Sequence, residues 1–391
     1  MNNDEKKKSF AKVPFVSVII PAFNESDVIE RTVKSVLDSN YPKNKFEILV
    51  VDDGSTDDTS KLVKRIQEKY FQVGLLIQKN SGKAAALNNG LNKIKGEFFF
   101  CLDADSSVHL ETMRRMVGFY YEQYKKYGDR LVIITPSMRV DAPKTFFQKF
   151  QRVEYILAAF IQRVMGHIDC IYVAPGPFSM YRTEIIKKSG GFEVGNLTED
   201  QEIAYRMQKN HYIIKQCPDA KVYTIAPRTL KDLFKQRNRW FKGSLYNLFK
   251  YKSLLFNKKY GDFGLFQMPL NVINYVLSIC ALFFFGYFLL IPLIKIIYHL
   301  SLIRFDILPY VFNPNISFNI LNIDLGKMFV FYTIFSVTIV LFFIAHKYTE
   351  ERVLQYGVWY LIPYFFVYYF ILSIIAIIVL CEVCAGKKQK W

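Results

Sequence analysis

Cysteine, histidine and tryptophan are scarce in this chain of 391 residues, which contains six, five and three of them respectively. Six scattered cysteines do not form the dense disulfide framework of a small secreted domain. We therefore expect Cys101, Cys170 and Cys217 to be reduced thiols in a cytosolic region. Cys381 and Cys384 form a C-x-x-C pair, which we interpret as unreactive thiols, with lipidation or redox chemistry as the alternatives.

Residues 1–12 contain no apolar run, and acidic residues are fewer than basic ones. Met1 to Lys12 is polar and rich in lysine, with no apolar run behind it, so we expect no secretory signal. Asp and Glu total 34 against 51 Lys and Arg, which gives a net charge of +17. We do not expect nucleic acid as the partner of this charge, because no nucleic-acid motif accompanies it.

The positive charge is concentrated beside the apolar part of the chain. Between Arg228 and Asp262 there are ten Lys or Arg and two Asp. The proposed loop His299–Gly326 has only three charged residues. This asymmetry follows the positive-inside pattern of membrane proteins, so we predict that residues 1–262 lie in the cytosol against a lipid bilayer.

Hydrophobic residues make up 51% of the chain, and long uncharged runs begin near Phe263. Three apolar segments come close to the roughly 20 residues that cross a bilayer: about Leu265–Leu290 with an extension to Leu300, Met328–Ala345, and Trp359–Val383. Pro292 and Pro363 could break the first and third, so three and four crossings are both open. The basic tail Lys387–Lys390 favours an even number, because it prefers the cytosol.

The segment before the first apolar run has a different composition. Leu230 to Leu255 mixes leucine and aromatic residues with lysine and arginine. This mixture favours helices that lie in the membrane interface, and the alternative is a soluble surface helix.

Residues before Tyr260 alternate between short apolar runs and amphipathic stretches. This alternation predicts an α/β domain with a mainly parallel sheet. Its functional loops should follow the strands, where Asp52, Asp53, Asp103 and Asp105 lie. The predicted strands are Phe15–Pro21, Phe46–Val51, Val73–Gln78 and Glu97–Leu102, and the predicted helices are Glu25–Ser39, Thr59–Tyr70 and Ala84–Ile94.

Asp103 and Asp105 form a D-x-D at a strand end, a spacing that can share Mg²⁺ or Mn²⁺ with diphosphate oxygens. Alone this motif is weak, because it occurs by chance about once in a chain of this length, and a solvated turn is the alternative. Two further motifs accompany it. They are Thr198-Glu199-Asp200 and the Q-x-x-R-W of Gln236, Arg239 and Trp240, which arises by chance in about one chain in a hundred.

With these motifs in order from Val16 to about Gly243, the sequence resembles the family 2 glycosyltransferases of the GT-A fold. The branch is that of cellulose, chitin, hyaluronan and poly-N-acetylglucosamine synthases. The resemblance implies inverting transfer of N-acetylglucosamine or glucose from a UDP-sugar to a growing β-linked glycan at the cytosolic face. One alternative is the transfer of a single sugar to a membrane lipid. Another is an inactive membrane scaffold, which the intact motifs argue against.

The resemblance also implies a domain plan. A polar tail (1–14) precedes a GT-A domain, Rossmann-like and nucleotide-sugar-binding (15–228). Interfacial helices (229–262), a transmembrane region (263–385) and a basic tail (386–391) follow. Many processive relatives have a transmembrane hairpin before the catalytic domain, and no such apolar hairpin precedes Phe15 here. We therefore expect one chain to form a narrow channel or none; an oligomer remains open.

On the donor side, the resemblance implies that Phe23 lies against uracil and that Asp53, or its neighbour Asp52, accepts a hydrogen bond from the base. Lys83 would approach the phosphates, the alternative being a surface lysine beside a helix start. Asp103 and Asp105 would hold ribose, diphosphate and the metal ion. The predicted donor-site residues are Pro21, Phe23, Glu25, Asp52, Asp53, Lys83, Asp103 and Asp105.

On the acceptor side, the resemblance implies that Asp200 is the catalytic base, with Glu199 as the next candidate. A helix N-cap is the alternative role for Asp200. Arg239 would stabilise the leaving diphosphate together with the metal, and Trp240 would stack under an acceptor sugar. The segment Ala174–Arg182 resembles the G-P-x-x-x-Y-R of hyaluronan and chitin-oligosaccharide synthases, the alternative being a Pro/Gly turn into a strand.

Overall fold

The computed structural model describes residues 13–305 and 325–387. The predicted polar tail up to residue 12, most of the predicted loop 299–326 and the end of the basic tail lie outside the described residues. The strands are β1 Val16–Ala22, β2 Phe46–Asp52, β3 Val73–Ile77, β4 Phe98–Cys101, β5 Ser106–Val108, β6 Leu131–Val140, β7 Ser179–Arg182 and β8 Ile213–Thr224. The helices of the first part are α1 Ile29–Leu37, α2 Thr59–Lys69, α3 Lys83–Lys93, α4 Thr112–Tyr127, α5 Phe146–His167, α6 Thr183–Lys188, α7 Glu199–Lys209 and α8 Leu230–Lys250.

The eight described strands form one mixed sheet in the order β3-β2-β1-β4-β7-β6-β8-β5. The first four run parallel, as predicted. Beyond them β6 and β8 also pair in parallel, so the sheet is mainly parallel as predicted, but it is mixed: β7 runs antiparallel to β4 and β6, and β5 runs antiparallel to β8. The chain enters β7 directly from a loop at the carboxyl end of β4, where Ser179 pairs with Cys101, and so it must run backwards.

Helices cover both faces of the sheet. Alternate residues of β1 point to opposite faces, as the twofold period of a strand requires. Val18 and Ile20 join a core that includes Val33 of α1, whereas Ile19 packs with Leu87 of α3 in a second core. Because both faces are buried, the strand ends and the loops that follow them are held in register.

Two helices begin at residues other than those predicted. The first helix begins at Ile29 rather than Glu25. The backbone N–H groups of Glu25 and Ser26 instead donate to Thr59 Oγ1 at 2.9 Å and Asp57 Oδ2 at 3.1 Å. The third helix begins at Lys83, one residue before the prediction, which makes Lys83 its first residue.

The C-terminal helices are α9 Met268–Phe285, α10 Ile291–Leu302, α11 Leu325–Thr349 and α12 Tyr369–Cys384. A π-helical turn, Gly286–Leu290, joins α9 to α10, so Pro292 does not break the helix. A π turn leaves room for the proline ring and accommodates the backbone hydrogen bond that proline cannot make. Pro363 lies in a first helical turn, where proline is tolerated.

Within the described residues, two helices are long and apolar enough to cross a membrane. They are Phe263–Phe284, with a mean hydropathy of 1.5, and Met328–Thr349, with a mean hydropathy of 2.5. Ile291–Leu302 and Tyr369–Cys384 are shorter apolar helices. Length and composition alone are weak grounds for a span, so the predicted three or four crossings stay a prediction.

Candidate active site

The loop after β3 is held by a carboxylate from the loop after β2. Asp53 accepts hydrogen bonds from Gln78 Nε2 at 2.7 Å and from the backbone N–H groups of Ser81 and Gly82 at 2.9 and 2.8 Å. The next residue is Lys83, so Asp53 fixes the start of α3. Asp53 is only 4% exposed, and its observed role is to position this loop; its predicted bond to a base stays a prediction.

The neighbouring carboxylate shapes its own turn. Asp52 accepts hydrogen bonds from the Ser55 backbone N–H at 2.9 Å and from the Ser60 hydroxyl. Asn24, whose φ is 56°, links the loop after β1 to the same turn by accepting from Thr56 N–H at 2.8 Å. Next to Asn24, Phe23 is 46% exposed, so its ring is available to a flat ligand, while Pro21 lies within β1.

Lys83 contacts both acidic motifs of the sequence, the D-x-D and Thr198-Glu199-Asp200. Its Nζ lies 2.6 Å from Asp103 Oδ1 and 3.0 Å from Glu199 Oε1. Burial lowers the pKa of Lys83, but the charges of Asp103, Glu199 and Asp200 more than offset this and raise it above its usual value. Lys83 is therefore a permanent cation between the D-x-D and the Thr198-Glu199-Asp200 motif, not a solvated surface lysine.

Gly176 closes over this ion pair. A Cβ at this position would lie 2.8 Å from Lys83 Nζ and 2.9 Å from Asp103 Oδ2. The loop is also tied to the start of α7, because the Ala174 N–H donates to the carbonyl oxygen of Asp200 at 3.2 Å. The segment is thus both a turn into β7 and a wall of the site, and the absence of a side chain at residue 176 permits that close approach.

Three carboxylates crowd the end of β4. Burial and the charges of Asp105 and Asp103 raise the pKa of Glu25 to about 7. Burial and the charge of Asp103 likewise raise the pKa of Asp105. The described residues hold no group of three potential ligands set for a metal ion. Two carboxylates fit Mg²⁺ or Mn²⁺ nonetheless, since such an ion takes one or two protein carboxylates and completes its shell with phosphate oxygens and water.

Asp200 is the second residue of α7, and Thr198 is the N-cap residue. Asp200 is therefore not the N-cap residue, although its Oδ1 accepts a hydrogen bond from the Gln201 backbone N–H in the first turn at 2.8 Å. Burial and the charge of Glu199 raise the pKa of Asp200 to about 6, against the opposing effects of Lys83 and Arg239. A pKa near neutral is the property that a general base needs.

The Q-x-x-R-W residues lie on α8, which approaches the start of α7 closely. A Cβ on Gly243 would lie 2.4 Å from Thr198 Oγ1, so glycine is needed inside this helix. Arg239 acts electrostatically on Asp200. Trp240 is half-buried and packs against the cluster of Val140, Tyr155 and Ala226. Within the described residues the buried Oε1 of Gln236 has no hydrogen-bond partner.

Sequence reasoning included Gly176 in the segment Ala174–Arg182 but did not predict its contact with the ion pair, and it missed the packing role of Gly243. A glycine inside a helical pattern signals close packing, which could have identified Gly243. Neither the partner of Gly243 nor the ion pair beneath Gly176 can be read from local pattern, because both contacts join residues that are distant in the chain.

The sequence is similar to those of known glycosyltransferases. The family model described as Glycosyl transferase family 2 matches residues 17–190. The chain is 30% identical over 229 residues, 58% of its length, to a poly-β-1,6-N-acetyl-D-glucosamine synthase of Staphylococcus aureus (strain MSSA476). It is 32% identical over 260 residues, 65% of its length, to the probable glycosyltransferase YdaM of Bacillus subtilis (strain 168). These alignments span 54% and 60% of the two relatives.

Among solved structures, the mannosyltransferase PcManGT from Pyrobaculum calidifontis, in complex with GDP-Man and Mn²⁺, superposes with a TM-score of 0.54 at 20% identity. The match covers 69% of this chain and 76% of that one. At this identity the likeness concerns the fold, which is an α/β fold of the GT-A type.

Proposed function

We propose that this chain, whose residues 17–190 form a family 2 glycosyltransferase domain, transfers a sugar from a UDP-sugar to a growing β-linked glycan with inversion at the anomeric carbon. The observation that carries the proposal is the convergence of Asp103, Lys83, Glu199 and Asp200 under the loop that contains Gly176. These residues come from separate segments and serve no common purpose in the core.

The donor would occupy the loops that follow β1, β2 and β4. The exposed ring of Phe23 offers a surface for uracil. Asp103 and Asp105 would hold a Mg²⁺ or Mn²⁺ ion, which supplies charge stabilisation to the diphosphate when bound. Lys83 adds a positive charge at the same place. Its present carboxylate partners hold it where phosphates would approach.

The transfer is a direct displacement. Asp200 takes the proton from an acceptor hydroxyl, whose oxygen forms a bond to the anomeric carbon. The bond from that carbon to the diphosphate oxygen breaks on the opposite face, and UDP leaves with the electron pair. Arg239 and Lys83 stabilise the negative charge on the leaving group. Inversion turns the α-linked sugar of the donor into a β-linked product.

Asp200 is a better base than its neighbour. Glu199 is 4% exposed and is paired with Lys83 at 3.0 Å, so its carboxylate is already committed to a cation. Asp200 is half-buried, and the pKa of its carboxyl is raised to about 6. We therefore assign the proton transfer to Asp200 and the positioning of Lys83 to Glu199.

N-acetylglucosamine or glucose is the proposed sugar. The similarity to a relative named as a poly-β-1,6-N-acetyl-D-glucosamine synthase supports N-acetylglucosamine. The segment Ala174–Arg182, which lies against the site, supports the same sugar through its resemblance to other synthases.

We place the reaction at the cytosolic face of a membrane that residues 263–385 cross. The apolar faces of Tyr246 and Phe249 on α8, which are 57% and 66% exposed, support an interfacial position for this helix. Residues at both ends of the last helix contact α8, Tyr368 through Arg237 and Glu382 through Lys242. A last helix that contacts the interfacial α8 at both ends starts and finishes on one side, which supports a cytosolic basic tail and leaves the two longer apolar helices as the proposed crossings.

The test uses the full chain in nanodiscs with a panel of UDP-sugars and Mg²⁺ or Mn²⁺, measuring UDP release and product length. We expect one UDP-sugar to be consumed and a ladder of glycans to accumulate. If a single glycolipid accumulates instead, the reaction is the transfer of one sugar to a lipid and not polymerisation. No UDP release with any donor would contradict the proposal.

A further inference from the structure

A buried polar cluster beside the acceptor side has no part in the transfer chemistry above. Arg237 Nη2 lies 2.7 Å from Glu154 Oε2, and the hydroxyl of Tyr368 donates to the same oxygen at 2.6 Å. Arg237 is 4% exposed and Tyr368 is fully buried. Three different elements supply this cluster, namely α5, α8 and the helical turn before α12.

The polar cluster also contacts Trp240 through Arg237. The guanidinium carbon of Arg237 lies 4.2 Å from the centre of the Trp240 ring, within the range of a cation–π contact. Residues 237 and 240 are three apart on α8, so their side chains lie on the same face of the helix. Since Glu154 and Tyr368 fix the guanidinium, they also fix one side of the indole.

A second contact anchors the same pair of helices. Glu382, near the end of α12, accepts from Asn238 Nδ2 at 3.0 Å and pairs with Lys242 Nζ at 2.7 Å. The apolar C-terminal helix is therefore bonded to α8 on both sides of Trp240 in the sequence. A displacement of α12 would be transmitted to Arg237 and from there to the indole.

We propose that Glu154 and Tyr368 are positioning residues for the acceptor: they orient Arg237, which orients Trp240, so that the C-terminal helix controls acceptor affinity without touching the acceptor. This inference rests on the proposed function, which places Trp240 under an acceptor sugar. A purely structural ion pair would affect folding and all kinetic constants together. A positioning role would affect the acceptor alone.

The first test compares Tyr368→Phe with the matched control Tyr369→Phe. Tyr369 bonds to Tyr364, and the described contacts give it no hydrogen bond to Glu154. With UDP-N-acetylglucosamine as donor and a β-1,6-linked N-acetylglucosamine tetramer as acceptor, Tyr368→Phe should raise the acceptor KM about three- to tenfold, the effect of one lost hydrogen bond. The donor KM should change less than about twofold. Tyr369→Phe should leave both constants unchanged.

The second test measures the fluorescence emission of the Trp240 indole. In a background that carries Trp359→Phe and Trp391→Phe, Trp240 is the remaining tryptophan. Its emission, and its response to the tetramer, should change in Tyr368→Phe and not in Tyr369→Phe. Arg237→Lys keeps the charge but loses the planar stack, and it should change the emission in the same way. If Tyr368→Phe does not fold, Glu154→Gln takes its place in both tests.

The outcomes separate this inference from the function on which it rests. An unchanged acceptor KM together with unchanged Trp240 emission would overturn the positioning role even if the wild-type chain transfers sugar. An equal change in donor and acceptor KM would overturn it as well. If the wild-type chain transfers no sugar from any UDP-sugar, the proposed function fails, and the emission response to the tetramer still decides whether Tyr368 positions Trp240.

Discussion

Glu199 and Asp200 are adjacent in the chain, yet their surroundings give them different chemistry. Glu199 faces inward and meets Lys83, so its charge is balanced. Burial and the charge of Glu199 raise the pKa of Asp200 to about 6. One carboxylate therefore holds a cation, and the other is free to take and release a proton near neutral pH.

Asp200→Asn should separate catalysis from folding. The substitution keeps the size of the side chain and removes the proton acceptor, so turnover should fall about 10²- to 10⁴-fold. The affinity for the UDP-sugar should change less than about tenfold, because the proposed role of Asp200 is toward the acceptor. Removing a buried charge beside Glu199 should leave the free energy of unfolding unchanged or higher.

Asp219→Asn is the matched control, since Asp219 is exposed on β8. It should leave both turnover and affinity at wild-type values. Turnover by Asp200→Asn within a few fold of wild type would move the base elsewhere, with Glu199 as the next candidate.

The pH dependence of kcat/KM follows from the same residue. The carboxylate form of Asp200, which is the active form in the proposed mechanism, is present above its pKa of about 6 and is lost as the pH falls through that value. The rate should therefore fall about tenfold for each pH unit below 6. A profile that stays flat down to pH 4.5 would exclude Asp200 as the base.

At the scale of single elements, the loop that leads into β7 is the part of the site that joins the proposed donor and acceptor sides. It contacts Lys83 and Asp103 through Gly176 and Asp200 through Ala174. Because β7 pairs with the end of β4, the sheet fixes this loop beside the D-x-D.

Gly176→Ala tests this close approach. The added methyl would displace Lys83 or the Asp103 carboxylate, and a displacement of about 1 Å can cost 10²-fold in rate. We expect a loss of turnover of about ten- to a hundredfold, with little change in melting temperature, because the displaced side-chain ends are mobile. The control is Gly286→Ala, whose Cβ would meet no atom within 4 Å. Wild-type turnover in Gly176→Ala would show that the ion pair is not needed.

The elements also show what a sequence can and cannot predict. The strands β1 to β4 were predicted to within two residues, because each is a continuous apolar run between turn residues. The antiparallel direction of β7 was not predictable, since it depends on which end of β4 the preceding loop reaches. Pro292 was expected as a candidate break, and the π turn that accommodates it depends on backbone geometry rather than on residue type.

In the whole molecule, two apolar helices are anchored to the catalytic domain at one end each. Near the start of α9, Asn271 Nδ2 donates to the Tyr205 hydroxyl at 2.7 Å. Just beyond the end of α11, Glu351 pairs with Arg139 at 3.2 Å and Arg152 at 2.8 Å. The far ends of α9–α10 and α11 are therefore expected on the opposite side of the bilayer.

Cysteine labelling tests this arrangement in a background where all six cysteines are replaced by serine. Ser301→Cys, at the far end of α10, should react with a membrane-impermeant maleimide in intact cells. Lys347→Cys, in the last turn of α11, should react only after permeabilisation. The reverse pattern would invert the orientation.

Much of the site was also predictable at this scale. The motif order brought Lys83, Asp103, Glu199 and Asp200 into one hypothesis, and the structure brings the side chains of Lys83, Asp103 and Glu199 into contact. The cluster of Glu154, Arg237 and Tyr368 was not predicted. Its members are up to 214 residues apart, and no local pattern links an acid on one helix to a tyrosine on another.

The configuration of the product tests the central proposal most directly. The full chain in nanodiscs would be supplied with the UDP-sugar that it consumes and with the N-acetylglucosamine tetramer, and the new linkage would be analysed by NMR. Direct displacement with Asp200 as base predicts that every new linkage is β. An α-linked product, formed with retention, would contradict the account.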